Sequence, residues 1–77
     1  MKKEKLQKVI GFTIKQIRLS KGMSQQDLSA ICNMEMSNFS RLEAGRSNHT
    51  IYTLKKIADN LEIELQELVK DIKKGTQ

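Results

Sequence analysis

The apolar positions of this chain fall into short helical rhythms separated by polar turns. Leu6, Val9, Ile10, Thr13, Ile14 and Ile17 follow the i, i+3, i+4, i+7 spacing of a single core-facing stripe, which predicts a first helix over about 4–20. Gly11 lies inside that helix at a cost in propensity, which close packing of a second helix would explain. Phe12 and Leu19 fall on another side and mark a candidate second contact surface, although scattered exposed apolar residues are common. Lys21-Gly22 ends the helix, with Met23 expected to tuck beneath the next one.

The stretch Ser24 to Gly45 reads as helix, tight turn, helix. Ser24 is a natural N-cap, and Asp27 three residues on completes a capping-box-like pair. Leu28 and Ile31 are expected to share one face. Asn33 stands where the chain must reverse, and asparagine tolerates the left-handed backbone such a reversal needs. Over about 36–44 the pattern splits in two. Phe39 and Leu42 point one way, with Glu43 at the boundary, while Met36, Ser37, Ser40, Arg41 and Ala44 share the opposite arc. Gly45 is the C-terminal stop.

Beyond a polar loop, Arg46-Ser47-Asn48-His49, Thr50 is the expected N-cap of a fourth helix over about 51–60, burying Leu54, Ile57, Ala58 and Leu61. A last helix over about 64–73 carries Leu65, Leu68, Val69 and Ile72 on one stripe. A domain this small has difficulty covering that whole stripe, so Val69 and Ile72, with Phe12, are the candidate subunit interface.

Composition narrows the class. The 77 residues suit one domain, with a core over about 9–69, a basic segment 1–8 and a tail 74–77; they include no proline and few β-branched runs, which points to an all-α bundle. No run approaches the ~20 apolar residues that cross a bilayer, and no signal-peptide core opens the chain. One cysteine, Cys32, cannot form an internal disulfide and reads as a small core residue in a cytoplasmic protein. His49 is the sole histidine, so no metal cluster, cofactor site or catalytic base–nucleophile pair is evident, and an enzyme is the least favoured class.

Charge adds a partner. The net charge is +5, but residues 1–23 hold seven Lys/Arg against one acid, a net +6, while residues 24–49 are net −1 and the remainder balance. Electrostatic attraction to nucleic acid is thus concentrated in the first helix, and the 24–49 segment itself is not basic. The arc Met36, Ser37, Ser40 and Arg41 is short and rich in hydrogen-bonding groups, with one long cationic reach. It suits a DNA major groove, where arginine binds guanine bidentately and small residues allow close approach. An amphipathic helix with a solvated outer face has the same pattern. Met36 would suit a thymine methyl group or a protein partner. The arc lacks the aromatics that stack RNA bases.

The Ser24-Gln25 opening, Leu28, Phe39, Ser40-Arg41-Leu42-Glu43 and Gly45 resemble the helix-turn-helix of lambdoid phage repressors and Cro proteins, the XRE family. Ile17-Arg18 upstream and Thr50, Leu54, Ile57, Ala58, Leu61 and Ile63 downstream extend the likeness over about 9–69. The resemblance implies a compact five-helix bundle and a sequence-specific, double-stranded DNA-binding transcriptional regulator. It implies base contacts from Met36, Ser37 and Arg41, with Ser40 beside them, and phosphate contact or bracing from Gln25, with Gln26 next to it. Arg46, Asn48 and Thr50 match the phosphate-clamping loop. The family pairs the residues at Arg18 and Glu43, and both lie near core boundaries here, so a structural salt bridge is expected. Homodimers of this fold read palindromic operators with half-sites about one turn, ~34 Å, apart. Two departures stand out: Glu35 replaces a small capping residue, and Asn33 replaces the usual turn glycine. A phage-type repressor, a restriction–modification controller and an antitoxin all fit. The alternative class is a protein-interaction module, such as an antitoxin that chiefly masks a toxin partner.

Overall fold

A computed structural model describes residues 2–72, and these form five helices: α1 (Lys3–Ser20), α2 (Gln25–Ile31), α3 (Met36–Glu43), α4 (Ile51–Asn60) and α5 (Leu65–Val69). The expected all-α five-helix architecture is what the chain adopts. Its core is Ile10, Ile14, Leu28, Cys32, Phe39, Leu42, Leu54, Ile57, Ala58, Leu61 and Leu68, so every helix contributes to one cluster. Phe39, on the inner side of α3, is fully buried in it.

Sharp helix stops make five helices fit into so short a chain. Each of the first four helices ends with the same pair of backbone bonds. At α2, Asn33 N–H donates to Ala30 and Met34 N–H to Ser29; at α3, Gly45 N–H donates to Leu42 and Arg46 N–H to Arg41. This is the Schellman arrangement, which satisfies carbonyls that the last turn leaves open and needs a left-handed residue just past the cap. Asn33 (φ 56°) and Gly45 (φ 76°) supply it where the sequence predicted stops. Glu62 (φ 58°) supplies it after α4, at a residue type that gives no such warning. Helix starts are equally explicit at α2, where Ser24 Oγ accepts from Asp27 N–H at 2.9 Å and Asp27 Oδ2 accepts from Ser24 N–H at 3.0 Å. Those bonds, backbone first, hold the Asp27 carboxyl below its usual range.

Two expectations are corrected. Ile31 does not share the buried face of Leu28: it is 53% exposed, and Cys32, four residues after Leu28, takes the core position. The last helix is shorter than predicted and ends at Val69, with Lys70 as its cap. Val69 and Ile72 are half-buried against the domain's own core, so the fold itself covers much of that stripe. The tail 74–77 lies outside the described residues.

Candidate nucleic-acid interface

Helix α3 has only eight residues, and its N-cap, Glu35, makes no side-chain capping bond. A helix this short is not stable alone, so its position must come from packing. Phe39, Leu42 and Glu43 are buried on the inner side. On the outer side Met36, Ser37, Arg41 and Ala44 are exposed and Ser40 half-exposed. Arg41 Nη2 donates to Asn38 Oδ1 at 2.9 Å across one turn, so Asn38 flanks and steadies the cation.

Helix α1 provides the bed. A Cβ added at Gly11 would stand 2.5 Å from the carbonyl oxygens of both Leu42 and Glu43, so only glycine lets α1 touch the α3 backbone there. Seven residues along α1, Arg18 Nε donates to Glu43 Oε2 at 2.6 Å and Arg18 Nη2 to Glu43 Oε1 at 3.1 Å. Arg18 Nη1 donates to the Met23 carbonyl at 2.7 Å, and Gln25 Nε2 donates to Glu43 Oε1 at 2.9 Å. The Arg18 and Glu43 side chains are only 6% and 2% exposed. The carboxylate therefore receives three donors, and one buried cluster joins α1, the turn at Met23, α2 and α3. Gln25 is here a brace whose amide N–H points to Glu43, while Gln26 is exposed on the first turn of α2.

The loop after α3 is also tied down. Gln7 Nε2 donates to Asn48 Oδ1 at 2.6 Å. Thr50 Oγ1 accepts from Thr53 N–H at 3.0 Å and shares a hydroxyl–hydroxyl bond with Thr53 Oγ1 at 2.9 Å, so this side chain fixes the α4 start. Arg46, in the same loop, is exposed. His49 is half-buried, and its Nε2 is enclosed with no hydrogen-bond partner among the described residues. Burial pushes its imidazole below the ordinary value, and a bond with the Leu42 backbone opposes this in part. Two residues that pattern reading passed over belong here. Lys15 borders a hollow with Gln25, Ser40, Glu43 and Ala44, and Gln7 holds the loop. Lys15 stands between Gly11 and Arg18 on α1, and that spacing was the available signal.

Phe12 is 60% exposed and lines a groove of about 430 Å³ with Lys5, Lys8, Val9, Thr13 and Asp71. It leaves more apolar surface open than Val69 or Ile72. Cys32 is buried, and burial pushes its thiol up, away from the reactive thiolate. Among the described residues no His, Cys, Asp and Glu group is arranged to hold a metal ion, and no helix is long and apolar enough to cross a membrane.

Comparison with known proteins places this geometry. The Helix-turn-helix family HTH_3 matches residues 14–68, from the α1 core stripe through α5. The chain belongs to this family. An uncharacterised HTH-type transcriptional regulator, y4dJ, of Sinorhizobium fredii is 33% identical over 64 residues, covering 83% of each chain. The restriction–modification controller protein C.AhdI from Aeromonas hydrophila superposes with a TM-score of 0.77 at 30% identity, over 79% of this chain and 92% of that one. The wild-type restriction–modification controller protein C.Esp1396I gives a TM-score of 0.77 at 37% identity, over 90% of this chain and 95% of that one. The protein is accordingly a helix-turn-helix DNA-binding transcriptional regulator, not an enzyme. Helices α2 and α3 are the helix-turn-helix, and α3 is its second helix.

Proposed function

We propose that this helix-turn-helix regulator is a small homodimeric repressor or autoregulator that reads a palindromic double-stranded operator. Its likeness to restriction–modification controller proteins favours a controller of that kind over a phage-type repressor. The observation that carries the reading is the two-sided α3. Its inner side is fixed by Phe39, Leu42 and the buried Arg18–Glu43–Gln25 cluster, and its outer side presents Met36, Ser37, Ser40 and Arg41. A rigidly seated helix with short outer side chains can enter a major groove, and Arg41 can then bond a guanine edge. Glu35, at the start of α3, disfavours nearby phosphates and suits an exocyclic amino group of cytosine.

Phosphate contacts come from Arg46, Asn48 and the backbone N–H groups at the α4 start, assisted by the lysines of α1. Thr50 and Gln25 act as braces. The dimer contact uses the α1–α5 edge, with Phe12 as its most open apolar residue and the outer edges of Val69 and Ile72 beside it. A buried single thiol suits a reducing cytoplasmic setting.

Selection from a random duplex-DNA pool at near-physiological salt tests the reading. Two related half-sites one turn apart are expected. A single enriched half-site would remove the dimer, and no enrichment would transfer the function to binding a protein such as a toxin.

A further inference from the structure

The first three turns of α1 run along the end of α3 and the following loop as a continuous seam. Gly11 lies against the Leu42 and Glu43 carbonyls, and a Cβ at Gly45 would stand 2.6 Å from Lys8 Cγ and 2.7 Å from Lys8 Cα. Gln7 then bonds Asn48 at 2.6 Å, forty-one residues away in sequence. Chain positions 11, 8 and 7 thus meet 42–43, 45 and 48 in antiparallel order. The α1 end carrying this seam also carries Lys2, Lys3, Lys5 and Lys8.

The Gln7–Asn48 bond is chemically asymmetric. A side-chain amide has one accepting oxygen and one donating NH₂. Gln7 Nε2 takes up Asn48 Oδ1, which fixes the Asn48 amide so that its NH₂ is the group left over. Asn48 is exposed, and an unfixed amide there could equally present its oxygen, which repels a phosphate. We propose that Gln7 is a positioning residue for DNA binding: it holds Asn48 with its amide donors available to a backbone phosphate oxygen and ties the loop to the lysine-bearing end of α1. This inference rests on the reading of Asn48 as a phosphate contact. It adds a residue of α1 that does not itself touch DNA and sets the polarity of one that does.

The test uses the whole chain and the operator duplex obtained by selection, with binding followed by fluorescence anisotropy. Gln7→Met keeps the length and stem of the side chain but removes its donor, and Asn48→Ala removes the contact itself. Each is expected to weaken binding about three- to tenfold, the scale of a single hydrogen bond to a charged oxygen diluted by exposure. The loss should be equal on operator and on unrelated duplex, because phosphate contacts carry no sequence information. The Gln7→Met/Asn48→Ala double variant should bind no more weakly than Asn48→Ala, since Gln7 acts only through Asn48. The dependence on salt should keep its slope, because no cationic contact is lost. Thermal unfolding midpoints of the variants guard against a general loss of fold, and Gln7→Ala serves as a second removal of the donor.

Three results would overturn the proposal, and they are distinguishable. Unchanged binding by both Gln7 variants alongside weakened Asn48→Ala keeps the phosphate loop and removes Gln7 from it. Additive losses, or a flattened salt slope in Gln7→Met, would mean that Gln7 only anchors the basic end of α1. An unaffected Asn48→Ala variant would remove the underlying reading of the loop as well.

Discussion

Replacing Arg18 by methionine is the most direct perturbation of the device that seats α3. Methionine keeps much of the aliphatic stem but removes both donors to Glu43 and the donor to the Met23 carbonyl. Glu43 would then hold a carboxylate 2% exposed with only Gln25 as donor. Breaking one side of a buried pair in this way costs about 3–5 kcal/mol, because the remaining charge is neither solvated nor paired. A domain of this size has a total stability of roughly 4–12 kcal/mol at the usual value per residue. Arg18→Met should therefore remove a large part of the folding free energy, measured by urea unfolding monitored through helical circular dichroism. A loss below about 1 kcal/mol, the scale of an exposed ion pair, would show that the Arg18–Glu43 pair does not hold α3 in place.

The double variant Arg18→Met/Glu43→Met separates stability from orientation. With both charges gone, burial of two apolar side chains should bring stability back to within ~1–2 kcal/mol of the parent, since apolar replacement of a buried pair is often neutral or better. Operator affinity should not recover with it. The bidentate geometry that fixes the rotation of α3 about its axis has no apolar equivalent. Full recovery of both properties would show that Phe39 and Leu42 alone seat the helix.

The remaining predictions concern the outer arc, the seam and the loop. Arg41→Ala should cost ~1–3 kcal/mol on the preferred site and relax preference at one base pair, read by repeating the selection; an unchanged preference would exclude base contact by Arg41. Gly11→Ala forces a methyl group against two backbone oxygens and should destabilise by about 1–3 kcal/mol in urea unfolding, whereas the exposed Ala44→Gly should act only through helix-end propensity. His49 has a folded pKa below its ordinary 6.5, so as pH falls below that value the unfolded chain takes up the proton first. Stability is thus complete above about pH 6.5 and declines as pH falls toward the folded pKa. Unfolding midpoints between pH 7 and 5 should show that decline, and His49→Gln should flatten it; an identical slope in the variant would assign the decline to other groups.

What the sequence made legible were features fixed by local chemistry or by periodicity. Ser24 with Asp27, Asn33, Gly45 and Thr50 mark helix ends through bonds that span three to five residues, so their neighbours suffice to predict them. The inner stripe of α1 and the Phe39/Leu42 side of α3 follow from a 3.6-residue period. The pattern does not place Ile31, because two points three apart on a seven-residue helix do not define a face, and Cys32, four from Leu28, fills the core instead. The apolar rhythm overstates α5 because it does not reveal where a helix gives way to a turn; Ile72 packs on the core without belonging to α5. Gln7 was invisible for a different reason. Its partner Asn48 is forty-one residues away, and no pattern within α1 distinguishes a glutamine that bonds a loop from one that bonds water. The Thr50–Thr53 hydroxyl bond likewise depends on how both side chains turn.

The groups that place α3 and the groups it presents are different residues on opposite sides of the same eight-residue helix. Gly11, Arg18 and Gln25 act on Glu43 and its neighbours, whereas Met36, Ser37 and Arg41 are exposed on the other side. Substitutions on that arc should therefore alter which bases are preferred while changing stability by only about ±0.5 kcal/mol, the usual range for exposed sites. The reverse holds for the inner side, where even a methyl group at position 11 moves the α3 backbone relative to α1. Ser40 is the point where the two roles meet, since it is half-exposed and borders the hollow shared with Lys15, Gln25 and Glu43. A larger residue at position 40 would press on the Gln25–Glu43 bond as well as on the groove floor. If α3 reads bases as proposed, specificity can vary freely at positions 36, 37 and 41, and only within the volume that the buried cluster leaves at position 40.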